Sequence, residues 1–295
     1  MGLDTCERSV MCVGELIIDY LFESDRFPQK NETILINPFP GRGELGGTAL
    51  NVAWYLSQLE TSTKISLHYG SEQNDLIGKI CRNAGIVNIL PPYEGGSDVL
   101  FSVIINEAHR SYALLGEDNF SPIQDIETIL DDSDLLLLCG SRHSILRSKY
   151  ASLSNGSESQ SVYFCPSYCV YEYERNDLES IIMMSDYLFC NYDEVDHIIK
   201  KLSLGDPKDL LSKFDIIPVI TKGKDGVVAY TYTDFISVKS VPVLVANQFG
   251  GGDAFVAGFV SSIIKGNGIL ESMKKGVQVA AAAVGSDFVR VKIER

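Results

Sequence analysis

Three consecutive glycines, Gly250, Gly251 and Gly252, stand directly before Asp253, and the residues after that aspartate carry an apolar helical pattern. Glycine lets the backbone approach a ligand closely and turn its N–H groups inward. A helix N-terminus adds unpaired amides and a partial positive charge. Together they form an anion hole with a carboxylate on its rim, which is the equipment for moving a phosphoryl group onto a hydroxyl. The helix start is expected to lower the pKa of Asp253 and leave it a weak base. Phosphoryl transfer tolerates this, because positioning and charge stabilisation matter more than base strength. A glycine turn with an aspartate helix cap is the structural alternative.

Further polar residues fall just past apolar runs or at helix starts: Asp19, Gly46, Gly47, Asn51, Gly140, Asn191, Glu194, Thr221 and Gly223. The apolar runs that precede them read as strands over 10–14, 16–22, 65–69, 135–138, 162–165, 187–190 and 216–220. Helices are expected over 49–59, capped by Thr48, and over 75–84, 193–202, 207–214, 253–265 and 270–284. Residues 99–105 and 111–115 read as a hairpin, 227–232 and 235–241 as an antiparallel pair, and the Ser-rich stretch 154–161 as a loop. Alternating strands and helices imply an α/β fold: a doubly wound, mostly parallel sheet flanked by helices. Segments of about 16–45 and 98–116 break that rhythm and suit a small β-sheet lid over the ligand site. The 295 residues are read as one domain, since no linker divides them. In such a sheet, ligands bind beyond the carboxyl ends of the strands, where these polar residues converge.

A formal charge of −14 with no basic cluster argues against nucleic-acid binding. Seven cysteines without a CxxC pair favour neither a disulfide framework nor a zinc site. No signal-peptide pattern and no bilayer-length apolar run occur, so a soluble cytoplasmic protein without membrane partners is expected.

The ordered motifs resemble those of the ribokinase-like (PfkB) carbohydrate kinases. Gly46-Gly-Thr-Ala-Leu-Asn51 is similar to the family's N-terminal glycine pair. Gly70 to Gly78 with Gly85-Ile86 is similar to the stretch that follows it. Asn191-Tyr-Asp-Glu194 matches Asn-x-x-Glu, Thr221-Lys-Gly223 resembles the nucleotide loop, and Gly250-Gly-Gly-Asp253 matches the anion-hole signature. The resemblance implies ATP-dependent phosphorylation of a hydroxymethyl group on a sugar or sugar acid. Asp253 would take the hydroxyl proton, and the amides of Gly250, Gly251 and Gly252 would stabilise the transferring group. Asp19, Gly46, Gly47 and Asn51 would bind the acceptor. Arg110 either reaches in from the lid or stays solvated. Asn191, Glu194, Thr221 and Gly223 would bind the nucleotide, with Glu194 near Mg²⁺ through water. Asn191 and Glu194 also have the spacing of a capping box. Relatives further suggest a homodimer joined through the lid.

Two stretches depart from the family pattern. Asn247-Gln248-Phe249 replaces a polar triplet headed by aspartate, which argues against a monovalent-cation site. Phe164-Cys-Pro-Ser167 carries Cys165 and Ser167 where the family often has Asp and Asn. These departures motivate an alternative: a catalytically weak pseudokinase that binds sugar or nucleotide. A nucleoside kinase is a variant of the same chemistry, with Phe22, Phe27 or Tyr112 supplying a slot for the base. A dinucleotide oxidoreductase is disfavoured, because no GxGxxG follows the first strand.

Overall fold

The computed structural model describes residues 8–34, 37–38, 44–89, 97–105, 108–114, 133–141, 160–246, 249–286, 289–290 and 292–293. The Ser-rich stretch, apart from its last two residues, lies outside them, as do Cys6, Asn247 and Gln248.

Two apolar runs make the centre of the main sheet. β1 (Ser9–Glu15) and β9 (Leu135–Cys139) pair in parallel, with Val10 opposite Leu135 and Val13 opposite Leu138. Their side chains alternate between two cores. Val10, Cys12, Leu135, Leu137 and Cys139 enter one; Met11, Val13, Leu136 and Leu138 enter the other. Burial on both faces is why these strands read as continuous apolar runs. On the far side of β1 lie β5 (Ser62–His68) and β6 (Val87–Asn88), both parallel. On the far side of β9 lie β10 (Ser161–Cys165), β11 (Tyr187–Asn191) and β12 (Ile217–Thr221), also parallel. The antiparallel pair β13 (Val227–Tyr230) and β14 (Phe235–Val238) completes the edge. The strand order among the described residues is β14-β13-β12-β11-β10-β9-β1-β5-β6. The order reverses between β1 and β9, which opens a crevice beyond their carboxyl ends.

Helices cover both faces. α1 (Thr48–Gln58), α2 (Asn74–Ala84), α6 (Gly251–Ile263) and α7 (Ile269–Val284) contribute to the first core. α3 (Arg175–Met183), α4 (Tyr192–Leu202) and α5 (Lys208–Phe214) contribute to the second. α3 is absent from the expected elements. Among the described residues, no helix is long and apolar enough to cross a membrane.

The second sheet contains β2 (Ile17–Glu23), β3 (Asn37–Pro38), β4 (Glu44–Gly46), β7 (Asp98–Ile105) and β8 (Ala108–Leu114). β7 and β8 form the expected antiparallel pair. β2 joins β7 in parallel and β3 and β4 antiparallel. Leu16, almost fully buried, is the sole residue between β1 and β2, and its N–H bonds the His68 carbonyl at 2.9 Å. The chain therefore passes from main sheet to small sheet in one step, which hangs the small sheet at the mouth of the crevice.

Two helix starts differ from expectation. Thr48 is the first residue of α1 rather than its cap; Gly47 caps it at φ 96°, a region that favours glycine. α6 begins at Gly251, two residues before Asp253, with Gly250 in the left-handed region at φ 76°.

Candidate active site

Asp253 lies in the first turn of α6 at the floor of a cleft of about 640 Å³. The cleft wall includes Asp19, Gly47, Thr48, Asn51, Asn191, Glu194, Thr221, Gly250 and Gly252. One concavity thus gathers most of the residues singled out from the sequence, from elements as distant as β2 and α6.

The carboxylate of Asp253 is held on the α1 side. Its Oδ2 accepts from Nδ2 of Asn51 at 2.8 Å, and the Thr48 hydroxyl donates a second bond. Oδ1 of Asn51 accepts from Nη1 of Arg290 at 3.0 Å, and the same nitrogen donates to the Leu45 carbonyl. α1 explains why Thr48 and Asn51 act together: three residues apart, they share a helix face.

The electrostatics overturn one expectation. Burial pushes the Asp253 carboxyl up to about 6, and the bonds from Asn51 and Thr48 only partly offset it. Desolvation outweighs the helix-terminus effect, so Asp253 is a stronger base than its sequence position implies. Glu194 is raised to about 7, chiefly by burial, with the Asp253 and Asp193 charges adding to the rise and the bond from the Asn191 amide opposing it. If Asp253 must be ionised for turnover, kcat/KM falls about tenfold per pH unit below pH 6 and levels off above it. A pH–rate series from 4.5 to 8.5 checks this, and a rate that stays nearly flat down to pH 5 would contradict the burial argument.

The three glycines serve three purposes. Gly250 takes the left-handed turn, and a Cβ there would stand 2.6 Å from Cγ1 of Val289. Gly251 does not line the cleft; a Cβ on it would meet Cγ1 of Val284 at 2.7 Å, so the missing side chain serves packing on α7 while the amide stays with the first turn. Gly252 faces open space, with nothing within 4 Å of a Cβ position. The first backbone bond of α6 runs from the Ala254 N–H to the Gly250 carbonyl at 2.9 Å. The helix therefore does not use the amides of Gly251, Gly252 and Asp253, which remain for an anion.

At the other end, Asn191 and Glu194 form a capping box. Oδ1 of Asn191 accepts from the Glu194 N–H at 2.9 Å, and Oε2 of Glu194 accepts from the Asn191 N–H at 2.8 Å. Both also line the cleft. Gly223 lines an adjoining hollow with Asn191, Thr221 and Lys222. Cys165 and Ser167, the two departures at the end of β10 and just after it, line the cleft as well, as does Phe249. Among the described residues the six cysteines are buried and form no disulfide, and burial pushes the thiols of Cys139, Cys165 and Cys190 well up.

Some expected residues do not line the cleft. Gly46 sits beneath Asp19; a Cβ there would lie 1.8 Å from Oδ2 of Asp19, so glycine makes room for that carboxylate. Gly140 is buried under the Pro166 turn. Arg110 lies on β8 opposite Val103, and its side chain, like that of Tyr112, lies outside the described residues. Phe22 and Phe27 are not part of the lining; Tyr168, Tyr171, Phe189, Phe249 and Phe255 supply its aromatic rings. Thr48 and Arg290 are site residues that the sequence reading missed. Thr48 reads as a helix cap in the sequence, and Arg290 carries no local signal.

The profile of the pfkB family carbohydrate kinases matches residues 7–292. A nucleoside kinase of Methanothermobacter thermautotrophicus is 26% identical over 268 residues, covering 88% of this chain and 84% of the relative. A 5-dehydro-2-deoxygluconokinase of Mesomycoplasma hyopneumoniae is 24% identical over 309 residues, covering 94% of this chain and 86% of the relative. The crystal structure of the Methanocaldococcus jannaschii nucleoside kinase, an archaeal member of the ribokinase family, has a TM-score of 0.77 at 19% identity, covering 97% of this chain and 94% of the other. The fold is therefore ribokinase-like, as the motif order implies.

Proposed function

The chain belongs to the pfkB family of carbohydrate kinases, and from that premise we propose that it transfers the γ-phosphoryl group of ATP to a hydroxymethyl hydroxyl of a neutral sugar-like acceptor. One observation carries the reading: the Asp253 carboxylate, held by Asn51 and Thr48, shares a cleft with the unspent first-turn amides of α6. Asp253 takes the proton of the attacking hydroxyl. The amides beside it stabilise charge on the transferring group, each donor worth about 10²–10³ in rate. Asp19 accepts bonds from acceptor hydroxyls.

The cleft's charge narrows the acceptor. Asp19, Glu172, Glu194 and Asp253 line it, and no Lys, Arg or His does among the described residues. The ATP phosphates would be screened by Mg²⁺ and the α6 amides, but an acceptor carboxylate or phosphate would face these acids with no paired cation, so neutral sugars are favoured over sugar acids. A nucleoside is the second reading, supported by the rings of Tyr168, Tyr171 and Phe249 in the wall. The test is ADP release with ATP, Mg²⁺ and a panel of neutral sugars, nucleosides and sugar acids. Turnover confined to sugar acids overturns the neutral-acceptor reading. Thermal stabilisation by ligands without turnover favours a pseudokinase that only binds.

The same charge balance bears on metal. Among the described residues, no group of three His, Cys, Asp or Glu is arranged to hold an ion. That suits Mg²⁺, which keeps most of its waters and takes few protein ligands. Glu194 would hold it through water, and bound Mg²⁺ would neutralise phosphate charge. The expected result is that ATP raises the melting temperature only with Mg²⁺ present, and that EDTA abolishes both the shift and turnover. An equal shift in EDTA contradicts the assignment. A homodimer joined through the small sheet is also proposed, since β8 ends the described strand order with one unpaired edge. A monomeric mass at micromolar concentration contradicts it.

A further inference from the structure

We infer that Arg290 is a positioning residue, which clamps Asn51 against Asp253 and ties strand β4 of the small sheet to the catalytic carboxylate. The inference rests on the reading of Asp253 as the base. A guanidinium can only donate and an ionised carboxylate can only accept. Asn51 lies between them, with Oδ1 on Arg290 at 3.0 Å and Nδ2 on Asp253 at 2.8 Å. Its amide orientation is thereby set from both ends, in one rotamer. Nη1 of Arg290 also donates to the Leu45 carbonyl on β4, one residue from Gly46. The Arg290 charge sits near Glu44 and Asp19, both on the small sheet. Its own backbone is anchored next door: the Tyr55 hydroxyl donates to the Val289 carbonyl at 2.6 Å, and Val289 packs on the Gly250 turn. Small-sheet strand, first-helix amide and anion-hole turn thus meet at Val289–Arg290. The groups whose charge reaches or is reached by Asp253 from the other elements are Glu194, Cys139 and Cys165. None of them contacts Asn51 by a hydrogen bond among the described residues.

The experiment compares R290M and R290K in the full chain, with and without N51A. R290M is expected to lower kcat about 10- to 100-fold, the cost of a slightly misplaced reacting group, with the ATP KM unchanged. It should also move the acidic limb of the pH–rate profile upward, because Asp253 loses a firmly held donor. R290K keeps a charged donor and restores most of kcat. In the N51A background R290M adds little, since both act through one contact. An unchanged kcat and pH limb in R290M, or an equal loss in the N51A background, overturns the proposal. A second readout needs no turnover: the Asn51 side-chain amide signal in ¹⁵N spectra of ligand-free protein, assigned by its loss in N51A. Slow exchange in the wild type and R290K with fast exchange in R290M supports the clamp; slow exchange in all three overturns it. If the kinase reading fails, wild-type turnover is missing while this signal still reports. Should R290M lose its cooperative melt, R290Q takes its place. R290Q keeps a donor and should keep the slow amide exchange, and a folded R290Q with fast exchange overturns the proposal.

Discussion

Asp253→Asn removes turnover and makes the protein more stable at neutral pH. The catalytic loss follows from replacing the proton acceptor with an amide, at about 10²–10⁴ in kcat. The gain in stability follows from burial. Asp253 has a carboxyl raised to about 6 in the folded protein, against roughly 3.9 in an unfolded chain. Between those values the folded state binds a proton that the unfolded state has released, so stability falls as pH rises through this window. Above pH 6 the full penalty applies, on the order of 2 kcal/mol after allowing for the carboxylate's access to the cleft. Asparagine carries no such penalty, and its Oδ1 still accepts from Asn51. The variant should therefore melt several degrees above the wild type at pH 7.5, with the gap closing as pH approaches 4. Scanning calorimetry at pH 4, 6 and 7.5, beside ADP-release assays, measures both halves. Equal turnover in variant and wild type removes Asp253 from its role. A lower melting temperature at pH 7.5 shows that the carboxylate is favoured by its surroundings, contrary to the desolvation argument.

That prediction depends on something the sequence does not display. Asp253 at a helix start suggests a lowered pKa, because the helix terminus is local and visible in the residue order. Burial depends on tertiary neighbours such as α1, whose Asn51 is 202 residues away, and it reverses the sign. The candidate site was legible for the opposite reason. Strands β1 and β9 announce themselves as apolar runs, since helices cover both faces of the sheet, and the polar residues just beyond such strands must gather at one edge. The Asn191–Glu194 box is legible too, because a capping box is entirely local. Thr48 misled because a threonine ahead of an apolar helix is a common cap, whereas here a positive-φ Gly47 caps the helix and leaves the hydroxyl for Asp253. Arg290 is 239 residues from Asn51, and no period or spacing joins them. Helix α3 was missed although Leu178, Ile181 and Ile182 put an apolar face on it. Residue type alone suggests Phe22 and Phe27 for a base slot, but it says nothing of direction. The lesson is physical: local signals reveal secondary structure and caps, while charge state and second contacts depend on tertiary neighbours.

Gly140→Ala should be the most damaging single-methyl substitution in the crevice, although Gly140 touches no ligand. β9 ends at Cys139, and the Gly140 N–H donates to the Cys165 carbonyl at 2.8 Å. This draws the end of β9 against the turn after β10. A Cβ at Gly140 would lie 1.7 Å from the Pro166 carbonyl oxygen and 2.9 Å from Cβ of Cys169. The nearest obstacle is backbone, which cannot rotate aside as a side-chain tip can. The turn must move, and it carries Ser167 and Tyr168 into the cleft wall. Overpacking of this kind costs about 3 kcal/mol, or roughly 5 °C in melting temperature for a chain of this length. Gly252→Ala is the matched control. Its added methyl meets nothing within 4 Å, and Gly252 already lies in α6. Alanine favours a helix over glycine, so the fold should melt at or above the wild-type temperature. Its methyl nevertheless projects beside the amides assigned to the phosphoryl group, and turnover should fall at least tenfold at unchanged stability. Melting curves and steady-state kinetics on the two variants separate the frame from the chemistry. A wild-type melt in Gly140→Ala means the β9–β10 junction is looser than its contacts imply, and full turnover in Gly252→Ala means the phosphoryl group lies elsewhere.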